Sequence, residues 1–225
     1  MTTPRSPRGL IFAFISSFCY HSSMEIKQEV SGMVGTNSYY YEYNGKGYLI
    51  DAPDGIGSWA ERLKKDGKTI DYILLTHGHF DHVMGIVEVL SIFPKAEIYL
   101  DKEDESLVTE KNKAILSYFG IPLSLYSIPS PFLYHDYPSS LGPFTVLKTP
   151  GHTKGGVCLL DEEEGILFSG DTLFQNGEGR TDLGGNWKEL EESLKNLSLL
   201  SEKINVFPGH GGKTDIKSEK RRLGF

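Results

Sequence analysis

The stretch that most restricts the fold is THGHFDH, residues 76–82. It directly follows an apolar run at residues 70–76, which predicts a buried strand. His77 and His79 are two residues apart, so their side chains project to the same side of an extended chain. Asp81 and His82 begin the next predicted helix. Four candidate ligands therefore lie at the carboxyl end of a strand, where open α/β sheets build their sites.

Three further motifs place a polar side chain just beyond a predicted strand. PGHT at 150–153 presents His152, SGDT at 169–172 presents Asp171, and PGHG at 208–211 presents His210. Glycine before Asp171 allows the backbone to approach its neighbours closely. A single loop histidine is more often structural, so each motif is weak alone. Together the four motifs supply seven candidate metal ligands: His77, His79, Asp81, His82, His152, Asp171 and His210.

Seven imidazole and carboxylate ligands are enough for two metal ions. One ion can take three histidines, and the other an aspartate and two histidines. The two oxygens of Asp171 could bridge cations about 3.5–4 Å apart. A water between them would be ionised at neutral pH, because a single zinc lowers the pKa of water to about 7. This pattern predicts hydrolysis of a carbonyl or phosphoryl group.

Composition excludes several other classes of protein. The 225 residues carry a net charge of −7, which argues against a general nucleic-acid binder. The 39% hydrophobic and 24% charged residues are typical of a globular protein rather than a disordered one. Two cysteines cannot form a disulfide framework.

The predicted strands and helices indicate an α/β protein with two sheets. Strands are predicted near 26–30, 38–43, 47–51, 70–76, 96–100, 132–135, 144–148, 157–161, 166–169 and 204–207. Helices are predicted at 58–65, 81–93, 103–119 and 187–201, the last with Trp187, Leu190, Leu194 and Leu197 on one face. Several strands precede the alternation of strands and helices, so two sheets with helices outside are favoured over one doubly wound sheet.

The first 23 residues differ from the rest of the chain. Arg5 and Arg8 precede a short apolar run that is too short to span a membrane. We interpret residues 1–23 as an N-terminal extension, with a targeting segment as the alternative, and residues 24–225 as the folded domain. A cytoplasmic location is expected, or export if residues 1–23 act as a signal peptide.

The four motifs, in this order and spacing, resemble those of the metallo-β-lactamase-fold hydrolases. The resemblance extends from about Glu25 to the C-terminus and implies a four-layer αβ/βα sandwich. By position it implies that His77, His79 and His152 bind one metal, that Asp81, His82 and His210 bind the second, and that Asp171 bridges them. The Asp51-Ala52-Pro53-Asp54 segment departs from the tighter turn usual in the family, and no function is assigned to it.

Within this family, residues 170–185 and 207–221 are similar to the glyoxalase II group, which hydrolyses glutathione thioesters. The similarity is greatest to its short single-domain members. About 15 residues follow His210, so the helical domain that binds glutathione in glyoxalase II is not expected. Asp171 stands where the main zinc β-lactamases carry a cysteine, which disfavours β-lactam hydrolysis. Phe174 and Arg180 are candidate substrate contacts, although Arg180 could equally pair with Asp182.

The sequence therefore predicts a dinuclear metal-dependent hydrolase of a small-molecule thioester such as S-acylglutathione. A metal-bridging hydroxide would attack the carbonyl, with Asp81 and Asp171 as catalytic carboxylates. Two divalent metal ions are expected, with Zn²⁺ favoured and iron or manganese also compatible with these ligands. A mononuclear iron persulfide dioxygenase and a non-catalytic metal-binding protein are the alternatives. Nucleic acid and a stable membrane span are not expected, and the sequence leaves the oligomeric state open.

Overall fold

Two β-sheets face each other in the structure, a computed structural model that describes residues 26–224. The first sheet contains, in order, β1 (Ile26–Ser31), β2 (Thr36–Tyr43), β3 (Lys46–Ile50), β4 (Tyr72–Leu74) and β5 (Glu97–Tyr99). The second contains, in order, β13 (Thr214–Asp215), β12 (Asn205–Pro208), β9 (Ile166–Gly170), β8 (Val157–Asp161), β7 (Phe144–Lys148) and β6 (Ser140–Leu141). The interpretation of residues 1–23 concerns a part of the chain outside the described residues.

Helices α1 (Gly57–Lys65) and α3 (Ile86–Ile92) cover the outer face of the first sheet, and α5 (Trp187–Ser198) and α6 (Ile216–Leu223) cover that of the second. The other α-helices are α2 (Phe80–Val83) and α4 (Asn112–Tyr118), which pack against each other. A small hairpin of β10 (Leu173–Phe174) and β11 (Gly177–Glu178) follows β9. In residues 26–224 no helix is both long and apolar enough to cross a membrane.

The alternation of side chains along β2 separates two of the cores. Tyr39 and Tyr41 contribute to the core between the sheets, where both lie near the ring of Phe168. Tyr40 points the other way, into the core under α1 and α3. Successive side chains of a strand face opposite sides, so one tyrosine run serves both layers. A third core packs α5 and α6 against the second sheet. The expected four-layer α/β sandwich is therefore observed.

Strand direction brings the candidate ligands to one edge. Strands β3, β4 and β5 pair in parallel, as do β9 and β12. Strand β7 runs in the same direction as β9, because both pair antiparallel with β8. Parallel strands end at the same edge, so the segments after β7, β9 and β12 meet there.

The helix predicted at 81–93 is interrupted. The carbonyl of His82 accepts a hydrogen bond from the Ala52 N–H, and the Gly85 N–H donates to the Ala52 carbonyl, each at 2.8 Å. A Cβ at Gly85 would overlap the Pro53 carbonyl oxygen. Contact with the loop after β3 therefore replaces the continuing helical hydrogen bonds and divides the segment into α2 and α3.

Three other predictions needed correction. The helix predicted at 103–119 is a 3₁₀ turn, a π-helical turn at Leu107–Lys111 and then α4. The strand expected near 132–135 is a single bridge between His135 and Tyr99. Trp187 does not share the buried face of α5, since it is the first residue of the helix and is 51% exposed.

Replacing Phe168 with alanine should destabilise the protein strongly. Phe168 is fully buried and its ring contacts the rings of Tyr39, Tyr41, Phe144 and Phe207. We expect Phe168→Ala to lower the free energy of unfolding by about 3–5 kcal/mol in denaturant titrations. Trp187→Ala, at a half-exposed position, should cost less than about 1 kcal/mol. Equal losses for the two variants would contradict the proposed core.

Candidate metal centre

All seven predicted ligands lie at the shared edge of the sheets. His77 follows β4, and Asp81 and His82 are in α2. His152 lies in the turn between β7 and β8, Asp171 directly follows β9, and His210 follows β12. The His210 segment is attached to the first sheet, because the Gly209 carbonyl accepts a hydrogen bond from the Asn37 N–H at 2.7 Å. Both sheets therefore contribute side chains to one cluster.

The ligand atoms form three overlapping groups. In each group, one nitrogen or carboxylate oxygen per residue lies within 4.8 Å of the others. The groups are His77, His79 and His152; then His77, His82 and Asp171; and then Asp81, His82 and His210. The structure thus brings the seven predicted residues together, with Asp171 between the two outer groups. That they bind metal ions stays a prediction.

Hydrogen bonds on the outer side of the cluster select the tautomer of three histidines. His152 Nδ1 donates to the Arg180 carbonyl at 2.6 Å, and His82 Nδ1 donates to Asp51 Oδ2 at 2.8 Å. The Thr76 hydroxyl donates to Asp51 Oδ2, so it can only accept from His77 Nδ1, 3.1 Å away. A neutral ring carries one proton, so Nε2 of each neutral imidazole keeps its lone pair.

The electrostatics of the cluster favour neutral His77 and His79 beside ionised carboxylates. Burial lowers the pKa of His77 well below its usual range and that of His79 to about 3. Burial opposes ionisation of Asp81 and Asp171, but neighbouring histidines, His82 foremost, hold the pKa of both below its usual range. Burial also disfavours charge on His82, yet Asp51, Asp171 and Asp81 hold its pKa well above the usual range. The same negative field would stabilise a cation.

Buried atoms without partners show that the residues fit a metal ion. His77 Nε2, His79 Nε2, His82 Nε2 and Asp171 Oδ1 have no hydrogen-bond partner in the structure. Such atoms are costly to bury unless something binds them. For His77 and His82 the unpartnered atom is the nitrogen on the cluster side, and for Asp171 it is a carboxylate oxygen. Divalent zinc, iron and manganese accept this donor set.

Asp51, to which we assigned no function from the sequence, is a supporting residue of the site. Its carboxylate accepts hydrogen bonds from the Thr76 N–H, the Thr76 hydroxyl and His82 Nδ1, all at 2.8 Å. Its backbone has a φ of 59°, a region that non-glycine residues seldom occupy. The signal was present in the sequence, since Asp51 ends a predicted strand just as Asp171 follows one.

Asp104 and Asn112 hold the peptide between the first two histidines. The Asp104 carboxylate accepts from the Gly78 N–H at 2.9 Å and from the Gly155 N–H at 2.8 Å. The Asn112 amide donates to the Gly78 carbonyl at 2.8 Å. The Gly78 peptide is thus bonded at both ends, and Asp104 also connects it to the segment after His152. No local pattern in the sequence indicates these contacts.

Both candidate substrate contacts lie at the wall of a cavity over the cluster. The Phe174 ring lies 6.1 Å from the His210 ring, and Arg180 pairs with Asp182 through two hydrogen bonds of 2.6 Å. Both side chains also line the cavity, whose volume is about 470 Å³. The two interpretations of Arg180 are therefore compatible, because its paired side chain still faces the cavity.

Comparison with known proteins finds a family match and related solved structures. The Metallo-beta-lactamase superfamily description matches residues 31–210. Hydroxyacylglutathione hydrolase GloC of Haemophilus influenzae is 33% identical over 178 residues, covering 75% of this chain and 84% of that protein. The crystal structure of TTHA1623 in a di-iron-bound form is 32% identical, has a TM-score of 0.78 and covers 87% of this chain and 98% of its own. The structure of BLEG-1 B3 metallo-beta-lactamase is also 32% identical, with a TM-score of 0.77 and coverages of 88% and 97%.

Asp104→Asn should weaken metal binding by the group of His77, His79 and His152. An asparagine accepts through one oxygen only, so the Gly78 or Gly155 N–H would lose its acceptor and the ligand segments would lose their common support. We expect a fall in metal affinity of about tenfold or more, measured by competition with a chromophoric chelator. Asp136→Asn, at an exposed carboxylate, is the control. Unchanged affinity in Asp104→Asn would show that the ligand geometry does not depend on this carboxylate.

Gly209→Ala should displace Asp171, the residue that lies between the two outer groups of predicted ligands. A Cβ at this position would overlap Asp171 Oδ1 and lie 2.8 Å from His82 Cε1. We expect fewer metal ions per chain by elemental analysis, because Asp171 or His82 must move. Gly177→Ala is the control, since its Cβ would meet no atom closer than 3.9 Å. A wild-type metal content in Gly209→Ala would contradict the predicted role of Asp171.

Proposed function

The chain belongs to the metallo-β-lactamase superfamily and is a metal-dependent hydrolase, and we propose that its substrates are thioesters such as S-acylglutathione. The observation that carries the proposal is the convergence of seven His and Asp side chains beneath one cavity. The similarity to hydroxyacylglutathione hydrolase GloC supports the thioester as the substrate class.

We propose that the seven residues hold two divalent ions. His77, His79 and His152 would bind one, Asp81, His82 and His210 the other, and Asp171 both. When bound, such ions lower the pKa of water and polarise a carbonyl oxygen. Zn²⁺ remains the favoured metal because of the histidine-rich ligand set, while the di-iron form of TTHA1623 keeps iron as an alternative.

Residues of the chain would position the attacking water and the substrate. Asp81 Oδ2 accepts from the Thr36 hydroxyl at 3.2 Å and lies 3.2 Å from His210 Nε2, so this carboxylate is held in place to orient an attacking water. Phe174 and Arg180 would contact the substrate at the cavity wall. A thiolate leaves readily, so no strong general acid is required. Cys158 is not a candidate nucleophile, because it is buried and burial raises its pKa to about 11.

Two other activities are alternatives, and each predicts a distinct experimental result. The mononuclear iron persulfide dioxygenase, the alternative given by the sequence, would consume oxygen and contain one iron per chain. The similarity to the BLEG-1 B3 metallo-beta-lactamase makes a β-lactam a necessary member of any substrate panel. The cytoplasmic location and the domain boundary at residue 24 stay predictions.

The decisive experiment compares S-lactoylglutathione with a lactone, a phosphodiester, a β-lactam and glutathione persulfide. We expect thioester hydrolysis, with about two metal ions per chain and loss of activity on chelation. His77→Ala should lower kcat/KM at least about a thousandfold, since a catalytic metal contributes several kcal/mol and each 1.4 kcal/mol is about tenfold. His135→Ala, at an exposed histidine outside the cluster, should retain activity.

Three results would refute the proposal. One iron per chain with oxygen uptake on the persulfide would identify the dioxygenase. Hydrolysis of only the β-lactam, lactone or phosphodiester would assign another substrate class. Metal binding without turnover of any substrate would indicate a non-catalytic member of the superfamily.

A further inference from the structure

The cavity over the cluster is polar at its floor and apolar on its walls. His79, Asp81, His152, Asp171 and His210 form the floor. Six apolar side chains form most of the wall: Val34, Phe80, Phe119, Ile121, Phe174 and Leu183. A substrate with its reacting carbonyl at the cluster must therefore place an adjoining group against hydrocarbon.

The wall offers little to a carboxylate. Among the described residues that line the cavity, Arg180 is the only lysine or arginine. Asp182 already neutralises its guanidinium through two hydrogen bonds, and the Phe119 ring lies 6.0 Å from its Cζ. Glu178, the one carboxylate among the described wall residues, pairs with Arg222 at 2.8 Å. An anionic group entering the cavity would find no unpaired lysine or arginine among these wall residues.

Two of the wall residues expose apolar surface to solvent. Val34 is 51% exposed and Phe119 is 44% exposed. They come from the β1–β2 turn and from the end of α4. Covering such surface with an apolar ligand group is favourable in proportion to the area removed from water. The wall is therefore complementary to an alkyl or aryl group.

We infer that the cavity receives an apolar acyl group, a medium-length alkyl or an aryl chain, in preference to a short hydroxyacyl group. The inference rests on the proposed thioester hydrolysis and specifies its substrate. In that reaction the carbonyl carbon–sulfur bond breaks and a carbon–oxygen bond to water forms. The products are the apolar carboxylic acid, released as its anion with a proton, and the free thiol.

A series of thioesters on one small uncharged thiol, N-acetylcysteamine, tests the inference. The acyl groups are acetyl, lactoyl, butyryl, hexanoyl and phenylacetyl. We expect kcat/KM to rise by up to about fourfold per added methylene, which corresponds to burial of about 0.8 kcal/mol per CH₂. Butyryl and phenylacetyl esters should exceed the lactoyl ester.

The experiment distinguishes failure of this inference from failure of the proposed thioester hydrolysis. Equal rates across the series, or the highest rate for the lactoyl ester, would overturn the inference and leave the thioester hydrolase proposal standing. No hydrolysis of any member, nor of S-lactoylglutathione, would refute both.

A matched pair of variants tests whether the apolar wall of the cavity causes the preference for longer acyl groups. Phe119→Ala removes a lining ring, and its half-exposed position makes misfolding of the variant unexpected. Its neighbour Tyr118, 77% exposed, does not line the cavity. We expect Phe119→Ala to flatten the dependence on chain length mainly through KM, with metal content retained. Tyr118→Ala should keep the wild-type dependence. An unchanged chain-length dependence in Phe119→Ala would overturn the assignment of this wall.

Discussion

The buried carboxylate of Asp51 is the contact on which the rest of the site depends. Its three hydrogen bonds join the ends of the neighbouring parallel strands β3 and β4 to the start of α2. Through the Thr76 hydroxyl it orients His77, and directly it orients His82. One carboxylate thus sets a histidine in each of the two predicted metal-binding groups. The hydrogen bonds of Asp51 therefore fix both the pairing of the strand ends and the orientation of the two histidines.

The four-layer arrangement explains why the polar residues gather at one edge. Both faces of each sheet are covered, by helices outside and by the opposite sheet inside. Buried polar groups are costly in such layers unless they are paired. The segments beyond the strand ends lie outside these layers, and there buried polar atoms can bind one another or a cation. The aromatic core around Phe168 holds the two sheets together, and Asn37 joins the His210 segment to the first sheet.

Local patterns identified the seven residues that the structure brings together, but they did not indicate the contacts between residues far apart in the chain. Each ligand follows a predicted strand within a few residues, so a short window of sequence contains the whole signal. The break between α2 and α3 depends instead on hydrogen bonds to Ala52, about 30 residues earlier in the chain. Asp104 and Asn112 bond Gly78 from 26 and 34 residues away. The buried face of α5 begins at Leu190, although the helical period of apolar residues extends back to Trp187, which is exposed.

The amino-acid sequence by itself determined the alternation of strand residues, the four motifs and hence the ligand types and the family resemblance. These properties depend on neighbours in the chain, such as a glycine before an aspartate or two histidines on one side of a strand. Only the tertiary structure decided which nitrogen of each histidine faces the cluster and which side chains line the cavity. Hydrogen-bond partners and cavity walls come from segments far apart in the chain, such as Val34, Phe119 and Phe174. The directions and distances of these contacts are set only when the two sheets pack together.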